Sequence, residues 1–179
     1  VFGCKTNKFF AEKWLASGKL DGLEGVFVVS CIVTHQAKSR WVKFVRKSAS
    51  EISGEYQRIY LSGCGTIDNR ELDEEFWEKY PELQEFREKI VLLGEEPHDF
   101  AAPRRKQIMK NSDLQAKIKK LRETQKLYTR KHVVIQTGCD TFCTFCATIQ
   151  ARGRHKNRSA EDIIKEIQDF EEQGGKEIV

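Results

Sequence analysis

Gly25-Val26-Phe27-Val28-Val29-Ser30 holds an unbroken apolar run of strand length in which nothing alternates. A strand apolar at successive positions needs both faces covered, and a parallel sheet clad in helices provides that. The flanking segments fit the same arrangement. Val1-Phe2 reads as a strand end, Tyr56 to Ser62 as a further strand, and Ile90-Val91-Leu92-Leu93 as another. Between them Phe9, Phe10, Lys13 and Trp14 recur at helical spacing up to Gly18. Trp41, Val42, Val45 and Ala49 mark one face of a helix over 36–50, and the acidic, aromatic stretch 71–88 is helical with a break near Pro81. This alternation predicts an α/β fold, with a small parallel-sheet domain over residues 1–103.

Beyond Pro97 and Pro103 the character changes. Residues 104–158 hold 15 Lys and Arg against 3 Asp and Glu, while the whole chain carries only +4. Residues 104–128 read as a basic linker helix whose thin apolar face is Leu114, Ile118, Leu121 and Tyr128. A cationic block of this size fits a polyanion such as RNA, held through phosphate contacts. A solvated helix face explains the charge equally well. From 129 a second βα array begins: a strand over 131–136, a cysteine loop, the basic loop 152–158, and a helix opened by Ser159 with Asp162. That helix is expected to carry Ile163, Ile164, Ile167 and Phe170 inward and to stop at Gly174-Gly175. Lys176 to Val179 reads as the next strand just beginning, so the second domain, 129–179, is expected to be incomplete. No apolar run reaches the roughly 18 residues of a membrane span and no signal-peptide pattern opens the chain, which reads as a cytoplasmic protein with no membrane partner.

The six cysteines fall into two sets. Cys139, Cys143 and Cys146 sit together in one loop after the 131–136 strand, at metal-ligand spacing. Cys4, Cys31 and Cys64 lie far apart in the chain, yet each directly follows a strand. In a parallel sheet with right-handed crossovers the carboxyl ends of the strands share one edge, so three residues at equivalent positions converge there. Thiols in a reducing compartment are metal ligands or catalytic groups more often than disulfides. A structural zinc site wants a fourth protein ligand, and His132 and His155, in a strand and a basic loop, read as ordinary histidines. A 4Fe-4S cluster held by three thiolates keeps one iron open.

Gly138-Cys139-Asp140-Thr141-Phe142-Cys143-Thr144-Phe145-Cys146 resembles the cysteine signature of radical S-adenosylmethionine (SAM) enzymes. Together with Gly3-Cys4-Lys5-Thr6-Asn7, Ser30-Cys31, Gly63-Cys64 and Ala151-Arg152-Gly153-Arg154, it is similar to the methylthiotransferases over nearly the whole chain. The resemblance implies two 4Fe-4S clusters and SAM as cofactors. Cys139, Cys143 and Cys146 would bind the SAM-binding cluster, at the start of a partial, truncated TIM-like βα barrel, and Cys4, Cys31 and Cys64 an auxiliary cluster. It places Phe145 by the adenine of SAM and Gly174, Gly175 and Glu177 by its methionyl group, and it makes Arg152, Arg154 and Arg158 contacts to RNA or SAM.

The implied reaction is insertion of a methylthio group at an unactivated C–H bond. Its implied partners are the anticodon stem-loop of tRNA, a reductant such as flavodoxin or ferredoxin, and a sulfur donor of unspecified kind. Gly-Cys-Lys-Thr-Asn and the cysteine loop look most like the enzymes acting on threonylcarbamoyladenosine. The isopentenyladenosine and ribosomal-protein aspartate enzymes share the six cysteines. A different class, a zinc-containing RNA-binding module without catalysis, would need a fourth Cys or His at finger spacing. The 179 residues alone are expected to hold clusters without turning over, because a partial barrel cannot enclose a substrate.

Overall fold

The computed structural model describes residues 1–66, 72–101 and 130–179. The expected linker helix over 104–128 lies outside the described residues. The chain divides into two compact units, Val1–Arg105 with Thr137–Lys156 and Lys106–Gln136 with Asn157–Val179.

The first unit is built on a three-stranded sheet in the order β1 (Gly25–Ser30), β2 (Arg58–Gly63), β3 (Ile90–Leu92), and both pairings are parallel. Register sets Val28 beside Leu61 and Ile59 beside Ile90 on one face, with Phe27 beside Tyr60 and Tyr60 beside Val91 on the other. The apolar strands therefore fill two cores. Against the first face α2 (His35–Glu51) packs Trp41, Val42, Val45 and Ala49, joined by Phe76, Trp77, Tyr80 and Leu83 from the segment before β3. Against the second, Trp14 of α1 (Lys5–Ala16) meets Tyr60 and Leu93, with Leu20, Leu23, Phe27 and Phe100 around them. Phe2 is not part of a regular strand, but its N–H reaches the Val29 carbonyl at 2.8 Å, alongside β1.

The ends of α2 show why it starts and stops where it does. The Thr34 hydroxyl accepts the Ala37 N–H at 3.1 Å, a cap that contributes on the order of 1 kcal/mol. At the other end the Lys89 ammonium donates to the Ala49 and Ile52 carbonyls at 2.9 and 3.0 Å, covering acceptors that the helix leaves open. The expected break near Pro81 is present: α3 spans Leu72–Lys79, and Pro81–Lys89 continues as a tighter 3-10 helix.

In the second unit β4 (Arg130–Lys131) pairs in parallel with β7 (Glu177–Ile178), and the Val133 N–H continues that ladder to the Val179 carbonyl at 2.9 Å. The single strand expected over 131–136 is instead divided. Only Arg130–Lys131 and β5 (Gln136–Thr137) are strand, because the backbone between them changes partners: Ile135 accepts from the Arg158 N–H at 3.0 Å and Val134 from its guanidinium at 2.8 Å. The chain leaves this unit at β5 and returns at β6 (Lys156–Asn157).

The helix before β7 spans Ala160–Glu172 and opens as expected, with the Ser159 hydroxyl accepting the Asp162 N–H at 3.1 Å. Its inward stripe needs correcting. Ile163, Glu166, Ile167 and Phe170 are half-buried at helical spacing, but Ile164 falls off that stripe and is 54% exposed. Glu166 is the hub here, taking Lys131 at 3.1 Å and Arg158 at 2.7 Å on its carboxylate.

Candidate metal centre

Cys31 directly follows β1 and Cys64 directly follows β2, so the parallel register brings both to the carboxyl edge of the sheet. Both are buried, and they share an apolar cluster with Ala151. Cys4 is exposed and caps the start of α1. Gly3, at φ +116°, lies so close to Cys31 that a Cβ added there would stand 2.6 Å from the Cys31 sulfur. Only glycine both adopts that backbone and leaves the thiol its space.

Polar side chains stitch this edge together. Ser30 donates its hydroxyl to the Ser62 carbonyl at 2.8 Å and accepts the Gly65 N–H at 3.1 Å, while the Trp41 indole holds the Cys31 carbonyl at 3.0 Å. Asn7, fully buried in the first turns of α1, donates its amide to the Ser30 and Phe2 carbonyls at 2.6 and 3.2 Å and lies 3.9 Å from the Cys64 sulfur. Its oxygen must then face a donor, which is the Arg152 guanidinium at 2.9 Å. The same guanidinium nitrogen stands 3.6 Å from the Cys4 sulfur, and Arg152 Nε is 3.3 Å from Glu95 in the segment after β3. The Arg152 and Glu95 side chains are 8% and 11% exposed. The contact between them is ionic and lacks the alignment of a good hydrogen bond.

These neighbours separate the thiols electrostatically. Burial pushes Cys64 up, and the nearby Cys31 adds to it. Partial burial also works against ionisation of Cys4, but the Asn7 N–H, Arg152 and Thr6 outweigh it and bring Cys4 below the ordinary thiol range. Glu95 is raised by burial, which Arg152 offsets only in part.

The loop cysteines sit in a different setting. Gly138, at φ +73°, passes so close to the Arg154 carbonyl that a side chain there has no room, and the Cys139 N–H donates to the Gly153 carbonyl at 3.2 Å. Thr141 lowers Cys139 through its hydroxyl, 3.4 Å from the sulfur, and through its N–H at 3.5 Å. Cys146 caps the short helix α4 (Ala147–Arg152), where Thr148 and the Ile149 N–H lower it in turn. Phe142 adopts φ +51°, uncommon for an aromatic residue, and stands under the Arg154 guanidinium at 5.7 Å. Phe145 is 90% exposed.

All six thiols are free, and among the described residues no three His, Cys, Asp or Glu side chains already form a closed ligand group. A four-iron cluster spreads its thiolates over a larger body. The donor chemistry fits one: thiols with few competing oxygen ligands, a lowered thiol in each set, and a buried cation beside the first.

The remaining expected site residues belong to the second unit. Arg158 is held by Glu166 and the Val134 carbonyl; Glu177 pairs with Arg130 at 2.6 Å; Gly174 and Gly175 end the helix that precedes β7, donating to the Glu171 and Phe170 carbonyls. Asn7 and Ser30 stand in the quoted cysteine motifs with no role of their own, and neither Ser62 nor Glu95 is a site residue by sequence. Ser30 and Ser62 did carry a signal, as polar residues ending apolar strands immediately before a cysteine turn.

No family model matches the chain. Over 99% of its length it is 24% identical to the ribosomal protein uS12 methylthiotransferase RimO of Clostridium tetani, of which it covers 41%. The protein of the same name from Clostridium botulinum strain Hall is 26% identical over 86% of this chain and 35% of the relative. A stretch of 46 residues, 26% of this chain and 10% of the relative, is 52% identical to a tRNA-2-methylthio-N(6)-dimethylallyladenosine synthase of Clostridium perfringens. The chain thus spans 41% or less of the length of these curated relatives, and it resembles methylthiotransferases, as its cysteine motifs do.

Proposed function

We propose that this chain, a relative of the methylthiotransferases, is the cluster-binding portion of a radical-SAM enzyme that adds a methylthio group to threonylcarbamoyladenosine beside the tRNA anticodon. The observation that carries this reading is the pairing of two thiol sets in one compact unit, one at the strand ends and one in the loop after β5. Cys139, Cys143 and Cys146 would hold the SAM-binding 4Fe-4S cluster, and Cys4, Cys31 and Cys64 the auxiliary one. When bound, these groups supply one-electron cleavage of SAM and a point of attachment for the transferred sulfur.

The protein's part is to hold and orient. Thr141 and Thr148 favour the thiolate forms of Cys139 and Cys146 and so ready them for metal. Phe145 offers an exposed ring to the adenine of SAM, while Gly174, Gly175 and Glu177 are its methionyl contacts by resemblance. Arg154, exposed in the basic loop, is the strongest of the three arginines as an RNA or SAM contact; Arg158 is already engaged with Glu166. The 129–179 segment opens a partial barrel, for which the parallel β4–helix–β7 unit is the supporting observation. By the same reading the chain divides at 1–103, 104–128 and 129–179.

A protein substrate is the second reading, favoured by the similarity to the ribosomal-protein enzymes over 86–99% of this chain. The basic block over 104–158 favours tRNA. Incubating the enzyme that contains this chain with SAM, reductant, and either unmodified tRNA or ribosomal protein uS12, then measuring added methylthio mass, separates the two. A product on tRNA adenosine supports the proposal, and a product on the protein alone overturns the substrate assignment.

A further inference from the structure

Resting on the auxiliary-cluster assignment above, we propose that Arg152, fixed by Glu95 and Asn7, is the positioning residue of the Cys4, Cys31 and Cys64 site, and that its charge sets how readily a cluster there accepts an electron. The segments that meet at this edge contribute, in chain order, Cys4 at the start of α1, Cys31 after β1, Cys64 after β2 and Glu95 beyond β3. The first three are thiols. The fourth is a buried carboxylate whose partner is Arg152, 3.3 Å away.

Arg152 reaches this edge from 148 residues beyond Cys4, at the last position of α4, the helix that Cys146 begins. Its guanidinium is divided between two tasks. Nε faces Glu95, while Nη2 meets both the Asn7 oxygen at 2.9 Å and the Cys4 sulfur at 3.6 Å. Asn7 in turn holds the Ser30 carbonyl and approaches Cys64, so one buried cation is tied to Cys4 directly and, through Asn7, to the ends of β1 and β2. A surface arginine needs no such anchoring, and a buried one is costly without it. A fixed positive charge in a low-dielectric site favours the more negative, reduced form of a cluster beside it, and a fixed negative charge opposes it. Arg152 and Glu95 therefore act with opposite signs.

The test uses this chain with Cys139, Cys143 and Cys146 all replaced by Ala, so that only the strand-end set can take up iron. After anaerobic reconstitution with iron and sulfide, the midpoint potential is read by electron paramagnetic resonance during titration with a one-electron reductant. Arg152→Met is expected to shift the midpoint to a more negative value, Glu95→Gln to a more positive one, and Arg152→Lys to stay nearer the parent. Equal midpoints in all four proteins would overturn the inference, as would shifts of the same sign in Arg152→Met and Glu95→Gln, the mark of a merely structural disturbance. Should Arg152→Met not fold, the upward shift of Glu95→Gln and the near-parent value of Arg152→Lys still decide. A parent that binds no iron fails at the earlier step and overturns the auxiliary-cluster assignment itself.

Discussion

Cys31 and Cys64 are buried at the ends of parallel strands, whereas Cys139, Cys143 and Cys146 lie in a loop beside exposed aromatics. Each set gathers its thiols by a different means. In the strand-end set the approach of Cys31 to Cys64 is the work of the sheet: register, two apolar cores and a row of buried hydroxyls and amides bring distant residues together. In the loop set it is the work of local chain, one glycine turn and two threonines. A site made by the fold should fail when the fold is disturbed, and a site made by a loop should not.

The largest expected break in that comparison is Trp41→Ala. Trp41 is fully buried, packs edge-on to Tyr80 at 4.9 Å and holds the Cys31 carbonyl, so its loss is expected to cost about 3–5 kcal/mol. Thermal denaturation reads the cost. Alkylation of the metal-free chain, followed by mass spectrometry, should show Cys31 and Cys64 gaining reactivity while Cys139 keeps its own. Equal gains at all six cysteines would mean the two sets are not independent.

Asn7→Ala should act in the same direction with a smaller effect, about 1–3 kcal/mol, because the Ser30 and Phe2 carbonyls lose their donor inside the protein. Unchanged stability would show that the buried amide contributes nothing to the edge. On the loop side, Thr141→Ala removes the hydroxyl that lowers Cys139 and should slow its alkylation near neutral pH by roughly a few fold, leaving Cys64 untouched.

The smallest effect concerns Glu95. Burial raises its folded-state pKa above the ordinary 4.5, so the folded chain binds that proton more tightly than the unfolded one. Its contribution to stability is present in full below the ordinary carboxylate value and is lost as pH rises through the raised one. Glu95→Gln should flatten that slope in melting profiles across the acid range, and an identical slope would contradict it.

Much of the strand-end site was legible because its cause is written locally. Val26 to Val29 and Ile59 to Leu61 are apolar on both faces, which forces a covered sheet, and a cysteine placed just after each strand can only end at one edge. Trp41, Val42, Val45 and Ala49 likewise announced their face of α2, and all four are buried. What stayed hidden depends on contacts between distant residues. Arg152 sits in a basic loop whose arginines the resemblance makes contacts to RNA or SAM, and only the folded chain sets it against Glu95 and Cys4. The 131–136 run reads as one strand because apolar composition does not reveal that its two halves bond to different partners. The same limit applies to Ile164, one position off the stripe that packs.

Iron and acid-labile sulfide content tests most directly whether two separate thiol sets each hold a four-iron cluster. Anaerobically reconstituted chain should bind about eight irons and eight sulfides, falling to about four of each when either Cys31 and Cys64 or Cys143 and Cys146 are replaced by Ala. A chain that takes up zinc with no absorbance at about 400 nm, or one that keeps all of its iron in both variants, would contradict it.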